Sequence, residues 1–533
     1  MSAFAGTRPL TRLALRRDRL MVPAWVLTFV VVAGVSASAT AGLYPTVASR
    51  VQAGNILNSA TAMVAMYGRI YDVTSLGAVA LIKLSGFGAA MVALLAGMLV
   101  VRHTRADEEV GRFELAAAGV VGRYAALTSA LVVAGATVLA LSIGATLAFA
   151  AAGLPWSGSL AFGASWAGAG LVFAGVAAVT AQMATTARAA RGLTASVLAG
   201  AYVVRAVGDT AAADGPRWLS WLSPIGWSQQ VRPYAGDRWW VLALSLAATG
   251  ALVLGAAALL ARRDLGGGLL TDRPGPRTAG PLLGSPLALA WRLQRGALLG
   301  WTTGFVITGL LLGGIATSVE GLLDNPLVNR FLSRLGGAGA LTDIFLATEL
   351  GFAAIAAAAF GISAVLRLHA EEAQGRVDSL LTTGTSRTQW ALAHVLVALV
   401  GTATLMVAVG LGMGVTYAVQ IDDPGQVPRM LAAALVRLPA VWVLTGLAVA
   451  FYGLSRHLAA LGWVALVGCI VLGEFGPVMD LPTWTWDLSP FTHVPTLPGG
   501  EVQAAPLLWL TLVAAGLVTL GLARLRVRDL LPD

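Results

Sequence analysis

The stretch AEEAQGRVDSLLTTGTSRTQW, Ala370 to Trp390, lies between two segments apolar enough to cross a membrane. It concentrates acids, arginines and threonines in a chain of which only 11% of residues are charged. Glu371, Glu372, Arg376 and Asp378 precede Leu380 and Leu381, and TTGTSR then breaks the pattern. Acids in a first turn, a Leu pair and a Gly-containing stop describe a short helix. Such a helix offers charge and a small apolar ridge to the groove of another protein. The connection therefore reads as a helical elbow between two spans, shaped as a handle.

Working outward, the 533 residues are 57% hydrophobic with a mean hydropathy of +0.78, where soluble chains carry about 25% charged residues. Runs of 18 or more apolar residues recur throughout, which excludes a large soluble helical protein and indicates a polytopic all-α membrane protein. Twelve spans are expected, at 22–43, 76–101, 124–150, 160–183, 192–208, 239–260, 297–317, 344–366, 389–418, 433–453, 458–475 and 506–523. With the N-terminus cytoplasmic, the inside segments hold 24 of the 35 basic residues. The positive-inside rule then places both termini in the cytoplasm. It also accounts for the net charge of +9 without any nucleic-acid partner. The single cysteine, Cys469, excludes an internal disulfide and a cysteine metal site. The Arg-rich N-terminus leads into a full-length span without an A-x-A-like site, so no cleavable signal peptide is expected.

The chain repeats itself. Shifted by 264 positions, Asp107, Glu108, Gly111, Arg112, Glu114 and Arg123 fall on Glu371, Glu372, Gly375, Arg376, Asp378 and Arg387. Arg19 and Trp25 share the spacing of Arg295 and Trp301, WLSPIGW (221–227) matches DLSPFTH (487–493), and RRDLGG (262–267) matches VRDLLP (527–532). The matches keep one order, and six spans per half give both halves the same orientation, as two parallel six-helix repeats. The expected organisation is a first transmembrane half at 1–261, a cytoplasmic Gly/Pro-rich linker at 262–286 and a second half at 287–533. Each half opens with a basic segment, Arg8–Leu20 and Leu287–Gly296, read either as a helix lying on the inner leaflet among lipid headgroups or as the charged flank of a span.

EEAQGRVDSLLTTGTSR resembles the E-E-x-x-G-x-x-E-x-L-L-x-T-x-x-S-R signature of ABC-2 class exporter permeases. Glu371, Glu372, Gly375, Asp378, Leu380, Leu381, Thr383, Ser386 and Arg387 fill its places, with Asp378 standing for the usual Glu. The first-half copy, DEEVGRFELAAAGVVGR (Asp107–Arg123, including Glu109), departs further, with Ala instead of the Leu pair. Two halves in one chain of this length are similar to actinobacterial exporters of polyketide antibiotics, the tetronasin type. The resemblance implies the permease subunit of an ATP-driven exporter of small amphipathic drugs or antibiotics in a bacterial plasma membrane. Its two elbows would dock on two copies of an ABC ATP-binding subunit, which would carry the ATP and Mg²⁺. The residues agree on one point. A phosphate-binding P-loop needs G-x-x-x-x-G-K-[ST], and the sole lysine, Lys83, sits between Ile82 and Leu84 in an apolar run.

Lys83, Arg205, Glu349 and Glu474 lie within spans, where isolated charges cost a few kcal/mol. Lys83 and Glu349 occupy equivalent spans of the two halves, as do Arg205 and Glu474, so they are expected either to meet across the axis as a gate or pathway or to snorkel separately. Arg437 is expected to snorkel outward. The five histidines are scattered without metal-ligand spacing. No catalytic arrangement is seen, so no enzymatic role and no cofactor of its own are expected. The alternative function is an ion-gradient-driven secondary transporter with two six-helix halves. The acidic elbows argue against it, because that class has a Gly-rich basic loop after its second span.

Overall fold

A computed structural model of the protein describes residues 2–59, 61–112, 121–211, 215–264, 266–269, 278, 280–316, 338–470, 472 and 482–529. All regular structure among them is helical, in two compact units, Met1–Gly275 and Pro276–Asp533. Ten of the described helices are long and apolar enough to span a membrane, which makes this a multi-pass membrane protein. Five lie in each unit: Met21–Leu43, Leu84–Glu109, Ala125–Ala151, Trp156–Met183 and Val241–Arg262, then Pro286–Ile315, Thr342–Ala373, Arg387–Ile421, Gln426–Leu454 and Ala504–Val527.

The fifth expected span of the first unit is a 24-residue helix, Ala187–Thr210, whose Arg188, Arg191, Arg205 and Asp209 dilute its apolar character. The eleventh is helical over Leu461–Ile470, and Glu474 lies outside the described residues. The opening segments of the two units also differ. Thr7–Arg17 is a separate helix that follows a left-handed Gly6, and Thr11 Oγ1 donates to Ser129 Oγ at 3.1 Å. Leu287–Gly296 instead forms the first turns of a continuous 30-residue helix, Pro286–Ile315, started by Ser285 accepting from the Ala288 amide. Of the two readings, the charged flank of a span holds for this second segment.

In the first unit the second span is interrupted by a π-helical turn, Leu84–Gly88. Its loosened Leu84 carbonyl accepts from the Trp166 indole at 2.9 Å, which removes the cost of an unpaired backbone group in a membrane. The Trp156–Met183 helix lies against the three spans at Ala89–Arg102, Ala125–Ala151 and Val241–Arg262, and its glycines keep it close. In the second unit a close crossing joins Leu438–Leu454 to Ala504–Val527, where Gly453 faces Gly521. A Cβ on Gly453 would sit 2.2 Å from the Gly521 carbonyl oxygen. Lipid tails are as apolar as Leu, so such close backbone packing, rather than apolar burial, holds the spans together.

Overpacking this crossing is expected to cost about 1–3 kcal/mol. Gly521→Val, whose Cβ would lie 2.5 Å from the Val449 carbonyl oxygen, should lower the thermal unfolding midpoint in detergent by several degrees. Gly516→Val on the same helix meets nothing within 4 Å and should leave it unchanged.

Candidate functional site: the two elbows and their clamps

In the second unit the elbow is built by three local devices. The Ala338–Ala373 helix ends at Gly375, whose φ of +66° suits a residue without a Cβ. A short helix, Arg376–Leu381, follows, and Gly384 turns the chain again at φ +81°. Ser386 and Gln389 then form a reciprocal capping box that starts Arg387–Ile421.

The acids of this elbow turn into their own unit. Glu371 is 4% exposed, accepts from Arg376 Nε at 2.8 Å and Arg376 Nη2 at 3.0 Å, and forms an ion pair with Arg367, whose Nε lies 2.9 Å away. Glu372 is 3% exposed and its Oε2 accepts from Tyr452 Oη at 2.6 Å and Arg528 Nη2 at 2.7 Å. The Arg528 guanidinium lies 4.9 Å from the centre of the Tyr452 ring. Arg387 Nη1 donates to the Arg528 carbonyl at 2.8 Å. Leu380 and Leu381 lean half-buried on the unit's core beside the buried Val377, so only part of the expected apolar ridge is presented outward. Gln374, Arg376, Asp378, Ser379, Thr382 and Thr383 form the exposed polar face.

The first unit has corresponding contacts. Asp107 meets Arg112 at 3.1 Å, as Glu371 meets Arg376, and also meets Arg17 at 2.6 Å. Glu108 grips Arg263 through both oxygens at 2.7 and 2.9 Å, where Glu372 grips Arg528. Arg123 Nη2 donates to the carbonyls of Ala261 and Arg263 at 2.7 and 3.3 Å, as Arg387 does to that of Arg528. Three contacts thus recur at positions matched by sequence. Further ties are particular to this unit. Arg105, 1% exposed, donates to the Ala181 carbonyl at 3.0 and 2.8 Å, the Glu108 carboxylate also accepts from the Gly266 amide at 2.6 Å, and Glu109 accepts from the Ala187 amide at 2.9 Å. Gly111 takes φ +72°. Glu114 lies outside the described residues.

The intramembrane charges divide differently from expectation. Arg205 is wholly buried and held within its own unit by Asp209 at 3.4 Å, by the carbonyls of Ala65 and Met66 at 2.8 and 3.2 Å, and by the Tyr202 ring at 4.3 Å, with its Nε left unbonded. The i,i+4 spacing of Arg205 and Asp209 was the signal for this pair. Lys83 is exposed on its unit, and Glu349 is half-buried in the Ala338–Ala373 helix. Arg437 does not snorkel: at 5% exposure it donates to the carbonyls of Ala347 and Leu497 at 2.7 and 3.0 Å, tying a helix break to neighbouring backbone.

Removing one partner of a buried ion pair strands the other, at roughly 3–5 kcal/mol. Glu372→Ala and Arg528→Leu should each lower the unfolding midpoint and open the elbow to limited proteolysis. Asp378→Ala, on the exposed face, should change neither.

The family model for the C-terminal domain of the multidrug efflux system permease Rv1217c matches residues 283–526. Over 532 residues, the chain is 43% identical to the multidrug efflux system permease protein Rv1217c of Mycobacterium tuberculosis, which covers 99% of this chain and 96% of that protein. On that evidence, with its multi-pass helical architecture, the chain belongs to the family of multidrug efflux system permeases represented by Rv1217c.

Proposed function

We propose that this chain is the transmembrane subunit of an ATP-driven ABC exporter of the ABC-2 class, which moves amphipathic drugs or antibiotics out of the cell. Two parallel six-helix repeats would make up its twelve spans, with Ala187–Thr210 as the fifth, 458–475 as the eleventh and both termini cytoplasmic. The observation that carries the reading is the recurrence of the acid–arginine clamp at matched positions in both units. A motor that binds as a pair needs two equivalent grips, and a clamped elbow passes a push to the helices behind it instead of folding away. The name of the mycobacterial relative, a multidrug efflux system permease, supports the cargo class. The exposed faces around Arg376, Asp378 and Thr382 and around Arg112 would touch two copies of an ATP-binding subunit, which holds the ATP and Mg²⁺. The buried Glu371 and Glu372 and the half-buried Glu108 would hold those faces in place. Closure of the ATP-bound partners would then rock each half as a body. Exposed Lys83 is proposed as a polar point on the export route.

Purification of the tagged chain in mild detergent from its native cells tests this. A P-loop ATPase in about two copies should co-purify and be lost in Asp378→Arg/Thr382→Glu, on the exposed face outside the clamp, with the unfolding midpoint unchanged. A chain that purifies alone and moves cargo down a proton gradient in liposomes would overturn the coupling. Lys83→Met should lower efflux with partner binding intact, and undiminished efflux would remove Lys83 from the route.

A further inference from the structure

The end of the first unit opposite its elbow carries a shallow, open cleft that neither elbow nor clamp uses. Its walls include Arg69, Tyr71, Gln229 and Arg232, and Leu81 and Ile82 supply an apolar floor. The turn that aims Arg232 into it is unusual. Arg232, Tyr234 and Asp237 all take positive φ, at 52°, 60° and 30°, in a region costly for residues with a Cβ. Strain of this kind persists only where the surroundings over-determine it, and it clusters at functional sites. Here the fixings are visible. Asp237 accepts from the Tyr234 amide at 2.9 Å and from Ser157 Oγ at 2.6 Å, and Tyr234 Oη pairs with Ser159 Oγ at 2.7 Å.

The polar groups of the cleft are only partly used. Arg232 Nε and Gln229 Oε1 are buried without a hydrogen-bond partner, and of the two only the Arg232 donor can serve an anion, since Gln229 Oε1 is itself an acceptor. Such groups normally find partners, so those that do not call for a ligand or water. Gln229 Nε2 is held by the Tyr67 carbonyl at 2.8 Å, which aims the amide. Arg69 spends Nε and Nη2 on the carbonyls of Asp209 and Ala211, at 2.7 and 3.3 Å, leaving Nη1. Tyr71 Oη accepts from Gln230 Nε2 at 2.9 Å, and burial pushes its phenol up to about 12, so it keeps a proton to donate. The Arg232 guanidinium stacks 4.2 Å over the Tyr71 ring, which fixes its plane.

We propose that this cleft binds the anionic oxygen group, phosphate or carboxylate, of an amphiphile, with Arg69, Arg232 and the Tyr71 hydroxyl around the oxygens and the amphiphile's chain on Leu81 and Ile82. The ligand is either a phospholipid headgroup or an anionic cargo molecule, because both present the same chemistry. The binding does not rest on the exporter reading.

Calorimetric titration of dodecyl phosphate and dodecanol into the full chain, in nanodiscs of phosphatidylcholine, tests it without any partner subunit. Dodecyl phosphate should bind the native chain and bind Arg69→Gln and Arg232→Gln about tenfold more weakly each, the loss of one charge-assisted hydrogen bond. Arg232→Lys should recover part of the affinity, and unchanged unfolding midpoints show that the variants are folded. Competition by phosphatidylglycerol in the nanodisc identifies a lipid headgroup, and binding without competition identifies a soluble amphiphile. Equal affinity of the native chain and the double Gln variant, or equal affinity for dodecanol, would overturn the site and leave the partner-docking reading untouched.

Discussion

A buried carboxylate that grips an arginine from the far end of its own unit is the interaction on which each elbow depends. Glu108 with Arg263 and Glu372 with Arg528 join the turn after the second span to the chain that leaves the last one. Ion pairs on a protein surface contribute little, because water screens them and their side chains lose entropy. These are shielded, share charge-assisted hydrogen bonds and carry secondary partners, Arg105 and the Gly266 amide in one unit and Tyr452 in the other. Their value is geometric. An elbow hung on two helix ends alone would bend at its positive-φ glycines, and the clamp removes that freedom.

The elbows show how a signature can mean something other than its surface chemistry implies. Three acids in a polar connection read as charge held out to another protein. The structure folds two of them, Glu371 and Glu372, inward and leaves Asp378, Arg376 and most of the threonines facing outward. The same acids can serve a partner interface by fixing the shape of a surface they do not contact. Replacement of a buried acid and replacement of an exposed one on the same short helix therefore have different meanings.

The long apolar helices were legible in the sequence because a membrane imposes a simple rule, runs of about 20 apolar residues. The elbow helix was legible from Asp378, the Leu pair and the TTGTSR stop, whereas Glu371 and Glu372, expected in its first turn, end the preceding helix. The clamp partners were not, because Glu108 and Arg263 are 155 positions apart and Glu372 and Arg528 are 156, beyond any helical periodicity. Their place in the repeated RRD and VRD triplets was the one available hint. Arg205 was first matched to a distant acid, although Asp209 stood one helical turn away. The cleft lined by Arg69 and Arg232 left no pattern at all, since it is assembled by a strained turn whose φ values no composition encodes.

The separation between the clamp residues also orders the assembly of the protein in time. Each acid emerges early in its unit and each arginine follows the final span, so an elbow remains an open, unsupported turn while the intervening helices are being inserted. It closes only when the last helix has arrived and delivered its guanidinium. The clamp is thus a completion signal: a half whose last span is missing or misplaced cannot display the finished elbow.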